Sequence, residues 1–355
     1  MPGTSSHGPL RAAGSARPET SGTGGTAAHT PASSRRCAPP AGHALACVAV
    51  VTYNSAGCIA ECLSSLRREQ RDLPHIVVVL DNASEDASTG IAESADPDAR
   101  IIRSDANVGF GQGNNRALAD RNEPFVALVN PDCELRAGAL RRAVDYLEAH
   151  PDVGIVGARL LDADGRDTTV DRLFTTPWRE ITGVIDSALW LRARIAVGTW
   201  WWRLRGRAPA RPAEWVIGAF MVMPRHVWER VGGFDPDFFM YGEDTDLCWR
   251  VRRLGCHVAI HPGVVVTHLG DHSAGPAFGD SRRERHVRAH VLAYAKRSGP
   301  GGAGRLIRAM RVKLRVRLLV LGLRERLLRD ASAARRRKRP EAVLAILDRL
   351  AAETH

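Results

Sequence analysis

The densest group of chemically capable side chains is Tyr241-Gly242-Glu243-Asp244-Thr245-Asp246, with three carboxylates in four residues. Carboxylates this close raise one another's proton affinity unless a cation or divergent orientation relieves them. One of them can serve as a general base toward a hydroxyl. Acids also favour the first turn of a helix, here one through Leu247, Trp249 and Val251. That role accounts for one or two of the three, not for the whole aromatic-flanked set.

Asp132 follows Asn130-Pro131 and offers a hard oxygen ligand of the kind a divalent cation takes beside a departing diphosphate. A helix N-cap is the other use of an Asp there. His268 ends the apolar run Val264-Val265-Val266-Thr267, where an imidazole can complete a metal shell or play a structural part. His257, His261 and His272 are its competitors nearby. Asp81, with Asn82 and Ser84, can accept the N–H of a pyrimidine base, and the same residues are good turn formers. Asn107 to Asn115 holds three Gly and three Asn in nine residues before a helical Arg116-Ala117-Leu118. It reads equally as an anion-friendly loop at a helix N-terminus and as a Gly-rich connector.

These groups need elements to place them. Leu45 to Thr52 and His75 to Leu80 are short Val-rich runs, the pattern of buried parallel strands. Ile101 and Ile102, Phe125 to Val129 and Val153 to Ala158 continue the series. Helical spacing appears at Ile59, Leu63 and Leu66, and again over Ala139 to Leu147. Alternating strands and helices imply an α/β fold with a mostly parallel sheet, whose sites lie at the carboxyl ends of the strands. Thr52-Tyr53-Asn54, Asp81-Asn82 and Asn130-Pro131-Asp132 all fall at such ends, which predicts one shared cleft. No Gly-x-Gly-x-x-Gly and no Gly-Lys-Ser/Thr loop follows the first strand. Further on, Trp215 to Pro224 reads as a strand, Arg225 to Val231 as a short helix, and Val258 to His268 as two short strands around His261-Pro262-Gly263.

The flanks differ in character. Residues 1–43 are rich in Gly, Ser, Ala, Thr and Pro and read as disordered. Six of the eight Trp lie between residues 174 and 215, interleaved with Arg. An aromatic-cationic surface of this kind suits a membrane interface or a carbohydrate face, and an ordinary packed helical pair is the alternative. The formal net charge is +11, and Arg282 to Arg339 carries 20 Arg or Lys against 3 Asp or Glu. That local excess of 17 leaves the rest at −6 and points to a polyanionic surface. Residues 280–355 are helical by composition, although Arg311, Lys313, Arg315 and Arg317 alternate with Val312, Leu314, Val316 and Leu318 at period two. No apolar run reaches a membrane span and no signal core opens the chain, so a cytoplasmic location is expected. The seven Cys fit no zinc spacing and read as buried thiols.

Six segments taken in order carry a family resemblance. They are VAVVTYNSAGCIAECLSSL, VVVLDNASEDAS, NVGFGQGNNRAL, FVALVNPDCEL, GAFMVMPRHVWERVGGFDPDFFMYGEDTDLCWRVRRLG and THLGDHS. Together, over roughly residues 45–275, they resemble the inverting family 2 glycosyltransferases of the GT-A fold, closest to the rhamnosyltransferase-like branch. The resemblance implies a GT-A domain over residues 44–279 and a basic helical extension over 280–355. It implies that Thr52, Tyr53, Asn54, Asp81, Asn82, Asn107, Gly109, Asn114, Asn130 and Asp132 hold a nucleotide-sugar. Asp132 and His268 would hold Mg²⁺ or Mn²⁺, the family's Asp-x-Asp being reduced here to Asn130-Pro131-Asp132. Asp244 would be the base, with Trp215, Gly218, Glu243 and Asp246 lining the acceptor side. The implied donor is dTDP-L-rhamnose or, alternatively, a UDP-sugar. The implied acceptor is polyprenyl-linked or a glycan, met at an anionic membrane face. A nucleic-acid-binding protein acting through the basic tail is the distant alternative, and no reading motif accompanies that charge.

Overall fold

The computed structural model describes residues 45–169, 173–182, 188–270, 281–299, 301–328 and 331–353. The expected disorder of residues 1–43, His272 and the side chain of Trp190 lie outside the described residues.

The chain begins with β1 (Ala46–Thr52), α1 (Ile59–Glu69), β2 (His75–Asp81), α2 (Ser88–Ala95) and β3 (Arg100–Arg103). It continues through α3 (Phe110–Leu118), β4 (Phe125–Val129), β5 (Cys133–Leu135), α4 (Ala139–Ala149) and β6 (Val153–Leu161). Next come α5 (Pro177–Thr182), α6 (Ala188–Leu204), β7 (Arg211–Ala213), β8 (Phe220–Pro224), α7 (Arg225–Val231) and α8 (Glu243–Arg253). β9 (His257–His268), α9 (Ser281–Ser298), α10 (Gly302–Leu328) and α11 (Ala331–Glu353) complete the described chain.

The strands form one sheet in the order β3-β2-β1-β4-β8-β6-β9-β5, with β7 on β9. β3, β2, β1 and β4 run parallel. β8 enters antiparallel between β4 and β6, so the sheet is mixed, with its parallel half at the N-terminal side. Every residue of β1 is buried, because both faces of this inner strand are covered. Ala46, Val48 and Val50 join one core with Ile59, Leu63 and Leu66 of α1 and Leu140 and Val144 of α4. Cys47, Ala49 and Val51 join the other with Ala117 and Leu118 of α3 and Leu247 and Val251 of α8. The continuous Val run is thus period-two alternation with apolar partners on both sides.

Three expectations change in detail. α3 starts at Phe110, inside the Gly/Asn run, which is therefore helix rather than connector. Gly113 permits this, since a Cβ there would stand 2.8 Å from Val51 Cγ1. The strand expected from Trp215 shortens to Phe220–Pro224, leaving Trp215 to Ala219 as a turn that faces the site. The two strands expected around Pro262 are a single β9, whose pairing with β6 shifts register between Ala158 and Arg159. The tail is helical despite its period-two stretch. Val312, Val316, Leu319, Val320, Leu323 and Leu327 are exposed at helical spacing, while Leu306, Ile307 and Leu321 of the same helix are buried. The described Cys are free, and all but Cys256 are buried.

Candidate active site

A cavity of about 680 Å³ opens at the carboxyl ends of β1 and β4 and is closed by α8 and α9. Thr52, Tyr53, Asn82, Asn107, Asn130, Asp132, Trp215, Gly218, Glu243, Asp244 and His268 all line it. The strand-end residues converge because parallel strands β1 and β4 stop at one edge. Asp132 meets His268 because β5 pairs antiparallel with β9, setting Cys133 opposite His268.

Polar atoms on the lining that are buried without a hydrogen-bond partner include Thr52 Oγ1, Asn130 Oδ1, Asp132 Oδ1, Tyr241 Oη, Glu243 Oε2 and Arg297 Nη1. Buried polar atoms are satisfied in the great majority of cases, so orphans gathered on one cavity mark a place where a polar ligand belongs. His268 Nε2 lies 3.3 Å from Asp132 Oδ1 but without hydrogen-bond alignment, which is why that oxygen counts as an ion-pair neighbour and still lacks a hydrogen bond. Among the described residues, Asp132, Cys133 and His268 place their ligand atoms within 4.8 Å of one another. Cys133 directs its thiol to Ala219 O at 3.3 Å, within the core. Asp132 and His268 face the cavity, and an orphaned carboxylate oxygen beside an imidazole is a donor set that fits a divalent cation.

The acidic cluster divides three ways. Glu243 is buried, and burial followed by the nearby Asp244 charge pushes its carboxyl up to about 8. Asp244 accepts the N–H of Thr245 at 2.7 Å and that of Gly218 at 3.3 Å, which fixes its carboxylate at the cavity wall. Asp246, expected to line the site, does not: it turns away to Arg250, whose Nε is 2.7 Å from Asp246 Oδ2. The one-turn spacing of Asp246 and Arg250 favours that pair over the cavity. Arg250 also donates to the carbonyls of Val231 and Gly233, so the pair ties the loop before α8.

Four more expected residues stand behind the lining rather than on it. Asp81 accepts from the hydroxyl and the N–H of Ser84. Asn54, at φ +49°, donates its N–H to Ser84 Oγ and accepts from the N–H of Glu85. Asn82 spans the gap between them and the cavity, donating to Gly109 O at 3.1 Å and accepting from Val108 N–H at 3.2 Å. Gly109 is needed for its backbone: φ is +83°, and a Cβ would stand 2.0 Å from Phe239 O. Asn114, within α3, donates to Phe110 O.

Two features escaped the sequence reading. Asn115 exchanges two 2.8 Å hydrogen bonds with the backbone of Phe234, latching the loop before α8 onto α3. More important, α9 is a wall of the cavity, contributing Arg282, His286, Ala289, His290, Ala293 and Arg297. The spacing of 282, 286 and 290, and of 289, 293 and 297, puts both rows on one helix face. That face was legible as a pattern, but it was absorbed into the tail's overall charge.

A cavity at strand ends with a carboxylate-imidazole pair on one rim and helix-borne acids across it defines an α/β enzyme of the GT-A type. Residues 132–324 match the model for glycosyl transferase family group 2, and residues 47–210 match that for glycosyl transferase family 2. The chain belongs to the family 2 glycosyltransferases and is a glycosyltransferase. Its likeness falls in the rhamnosyltransferase-like branch. It is 29% identical over 264 residues to N-acetylglucosaminyl-diphospho-decaprenol L-rhamnosyltransferase of Mycobacterium tuberculosis, covering 71% of this chain and 85% of that one. The pre-mycofactocin glycosyltransferase of the same organism is 26% identical over 65% of this chain and 44% of its own length. Among solved structures, the mannosyltransferase PcManGT from Pyrobaculum calidifontis, in complex with GDP-Man and Mn²⁺, has a TM-score of 0.56. At 22% identity, over 87% of this chain and 85% of that one, it shares the fold.

Proposed function

We propose that the protein transfers a sugar, best matched by L-rhamnose from dTDP-rhamnose, to a polyprenyl-diphosphate-linked or cell-envelope glycan acceptor with inversion. The observation that carries this is that Asp132, His268 and Asp244 open on one cavity with Thr52, Asn82 and Asn130. Asp132 and His268 are the residues suited to a divalent cation, which neutralises charge on a departing nucleoside diphosphate. Thr52, Tyr53, Asn82, Asn107 and Asn130 line the donor side, with Asn54, Asp81, Gly109 and Asn114 shaping it from behind. Asp244 takes the proton of an acceptor hydroxyl, whose oxygen then attacks the anomeric carbon from the face opposite the leaving group. Glu243, Trp215 and Gly218 shape the acceptor side. A UDP-sugar is the alternative donor, since pocket polarity alone does not choose between them.

The membrane-facing part of the reading rests on α10. Its exposed apolar stripe is flanked by exposed Arg315, Arg317, Arg324 and Arg326. Trp178, Trp200 and Trp201 are exposed as well, whereas Trp202 is buried and donates to Tyr146 Oη. Among the described residues no helix is long and apolar enough to cross a membrane. The combination fits a helix lying on anionic lipid. The deciding experiment is a nucleotide-sugar panel with Mg²⁺ or Mn²⁺, following released nucleoside diphosphate. Turnover of dTDP-rhamnose with a prenyl-linked acceptor is expected, and silence across the panel would remove the proposal.

A further inference from the structure

Arg297 occupies an unusual position. It lies on α9 with its guanidinium on the cavity wall, and among the described residues no carboxylate comes within ion-pair distance of it. Its neighbour Lys296, facing outward, is held by both Asp235 and Asp237. Arg297 has instead the ring of Phe174 at 4.9 Å, the ring of Tyr294 at 5.8 Å, and a long 3.4 Å bond from Nη2 to Thr175 O. Nη1 is buried with no hydrogen-bond partner. Burial, the largest influence on this group, pulls its proton affinity down. The carboxylates that act on it from beyond ion-pair distance, Asp246 and Glu214, are each paired with another guanidinium, Arg250 and Arg179. A half-buried cation so thinly compensated is costly unless a ligand anion supplies further charge. The planar fork of an Arg suits two phosphate oxygens at once. Beside it, the Thr175 hydroxyl and His290 Nε2 stand 2.9 Å apart on the same wall, and the Glu180 carboxylate 3.7 Å from that imidazole nitrogen is neutralised by Lys313 at 3.0 Å.

We infer that Arg297, with Thr175 and His290, forms an anion subsite that receives the phosphate group of the acceptor, separate from the donor's diphosphate place beside Asp132. The inference rests on the cavity being a sugar-transfer site and adds the group that selects a phosphate-bearing acceptor. Both diphosphates share one chemistry, so the test must separate them. Full-length protein is titrated with farnesyl diphosphate in the presence of saturating dTDP and Mn²⁺, and separately with dTDP alone. Wild type is expected to bind farnesyl diphosphate under dTDP saturation. Arg297→Met is expected to bind it at least tenfold more weakly, to change dTDP affinity less than twofold, and to melt no lower than wild type, because an uncompensated charge has gone. Arg297→Lys keeps the charge without the fork and is expected to fall between the two. It carries the same comparison if the Met variant does not fold. Equal losses for both ligands would assign Arg297 to the donor and overturn the inference. So would unchanged farnesyl diphosphate binding, or its absence in wild type. A silent nucleotide-sugar panel with Arg297-dependent farnesyl diphosphate binding intact would sink sugar transfer alone and uphold the anion subsite.

Discussion

The ring of Tyr241 stacks on that of His286, with centroids 3.5 Å apart and planes 18° from parallel. The contact joins the acidic turn before α8 to the tail helix α9. Gly242 beside it, at φ +84°, packs so closely that a Cβ would stand 3.1 Å from Ala289 O. An aromatic pair contributes about 0.5–1.5 kcal/mol beyond its buried area. His286→Ala is therefore expected to lower kcat/KM about 2- to 10-fold, with His286→Phe restoring most of it. Steady-state kinetics of the two variants checks this, and equal loss in both would show that the imidazole itself matters.

Asp244→Asn keeps the volume and, through its one carbonyl oxygen, the shorter hydrogen bond from Thr245, while giving up the 3.3 Å one from Gly218 and the basic oxygen. Transfer is expected to fall by about 10²–10⁴-fold, the usual worth of a positioned base. The melting temperature should hold. Retention of near wild-type turnover would assign the proton to another group.

Chelation is expected to stop turnover, and added Mn²⁺ or Mg²⁺ to restore it. His268→Ala should raise the metal concentration for half-maximal rate by about 10–100-fold, the range found when a metal site loses supporting contacts. Asp132→Asn should not be rescued at any metal concentration. Chelator-resistant transfer would exclude a cation at Asp132.

Glu243 gives a pH signature. Its carboxyl is raised from 4.5 to about 8 in the folded chain, by burial first and by Asp244 second. Over that window the folded state holds a proton the unfolded state has released, so wild-type stability declines as pH rises through it and then levels off. Glu243→Gln removes this contribution. Melting curves at acid, neutral and alkaline pH should show the variant gaining on wild type as pH rises. A constant difference would mean that the charge is not buried.

The stripe on α10 predicts lipid association. Leu319→Asp combined with Leu323→Asp should abolish flotation with anionic vesicles, and high salt should weaken wild-type binding, each near-surface cation contributing about 1 kcal/mol. Retardation of DNA with no vesicle binding would point to the nucleic-acid alternative instead.

Much of this architecture was legible because buried strands announce themselves. Val48 to Val51 and Val77 to Val79 have no other economical fold, and polar residues directly after them had to lie at one sheet edge. The orientation of single acids was not legible. Asp244 and Asp246 are two residues apart, and which one meets the cavity depends on Arg250, one turn on, claiming the second. Asp81 and Asn54 likewise looked like ligands by position but spend their atoms on the Ser84 turn. Helical continuity through Gly111 and Gly113 was hidden because glycine weakens a local helix signal. It is recovered only by the close approach to Val51 and Phe234. The part played by α9 was hidden by distance along the chain, since nothing local tells a basic helix that it will roof a cavity.

α9 has two packed sides. One borders the cavity, and the other places Val287 and Val291 in a small core with Leu306 and Ile307 of α10 and Ile346, Leu347 and Leu350 of α11. The C-terminal region is consequently not an exchangeable module. A chimera that swaps the tail from Ser281 onward between relatives must carry the matching Tyr241–Asp246 segment with it, or it will assemble a foreign roof on a turn shaped for another.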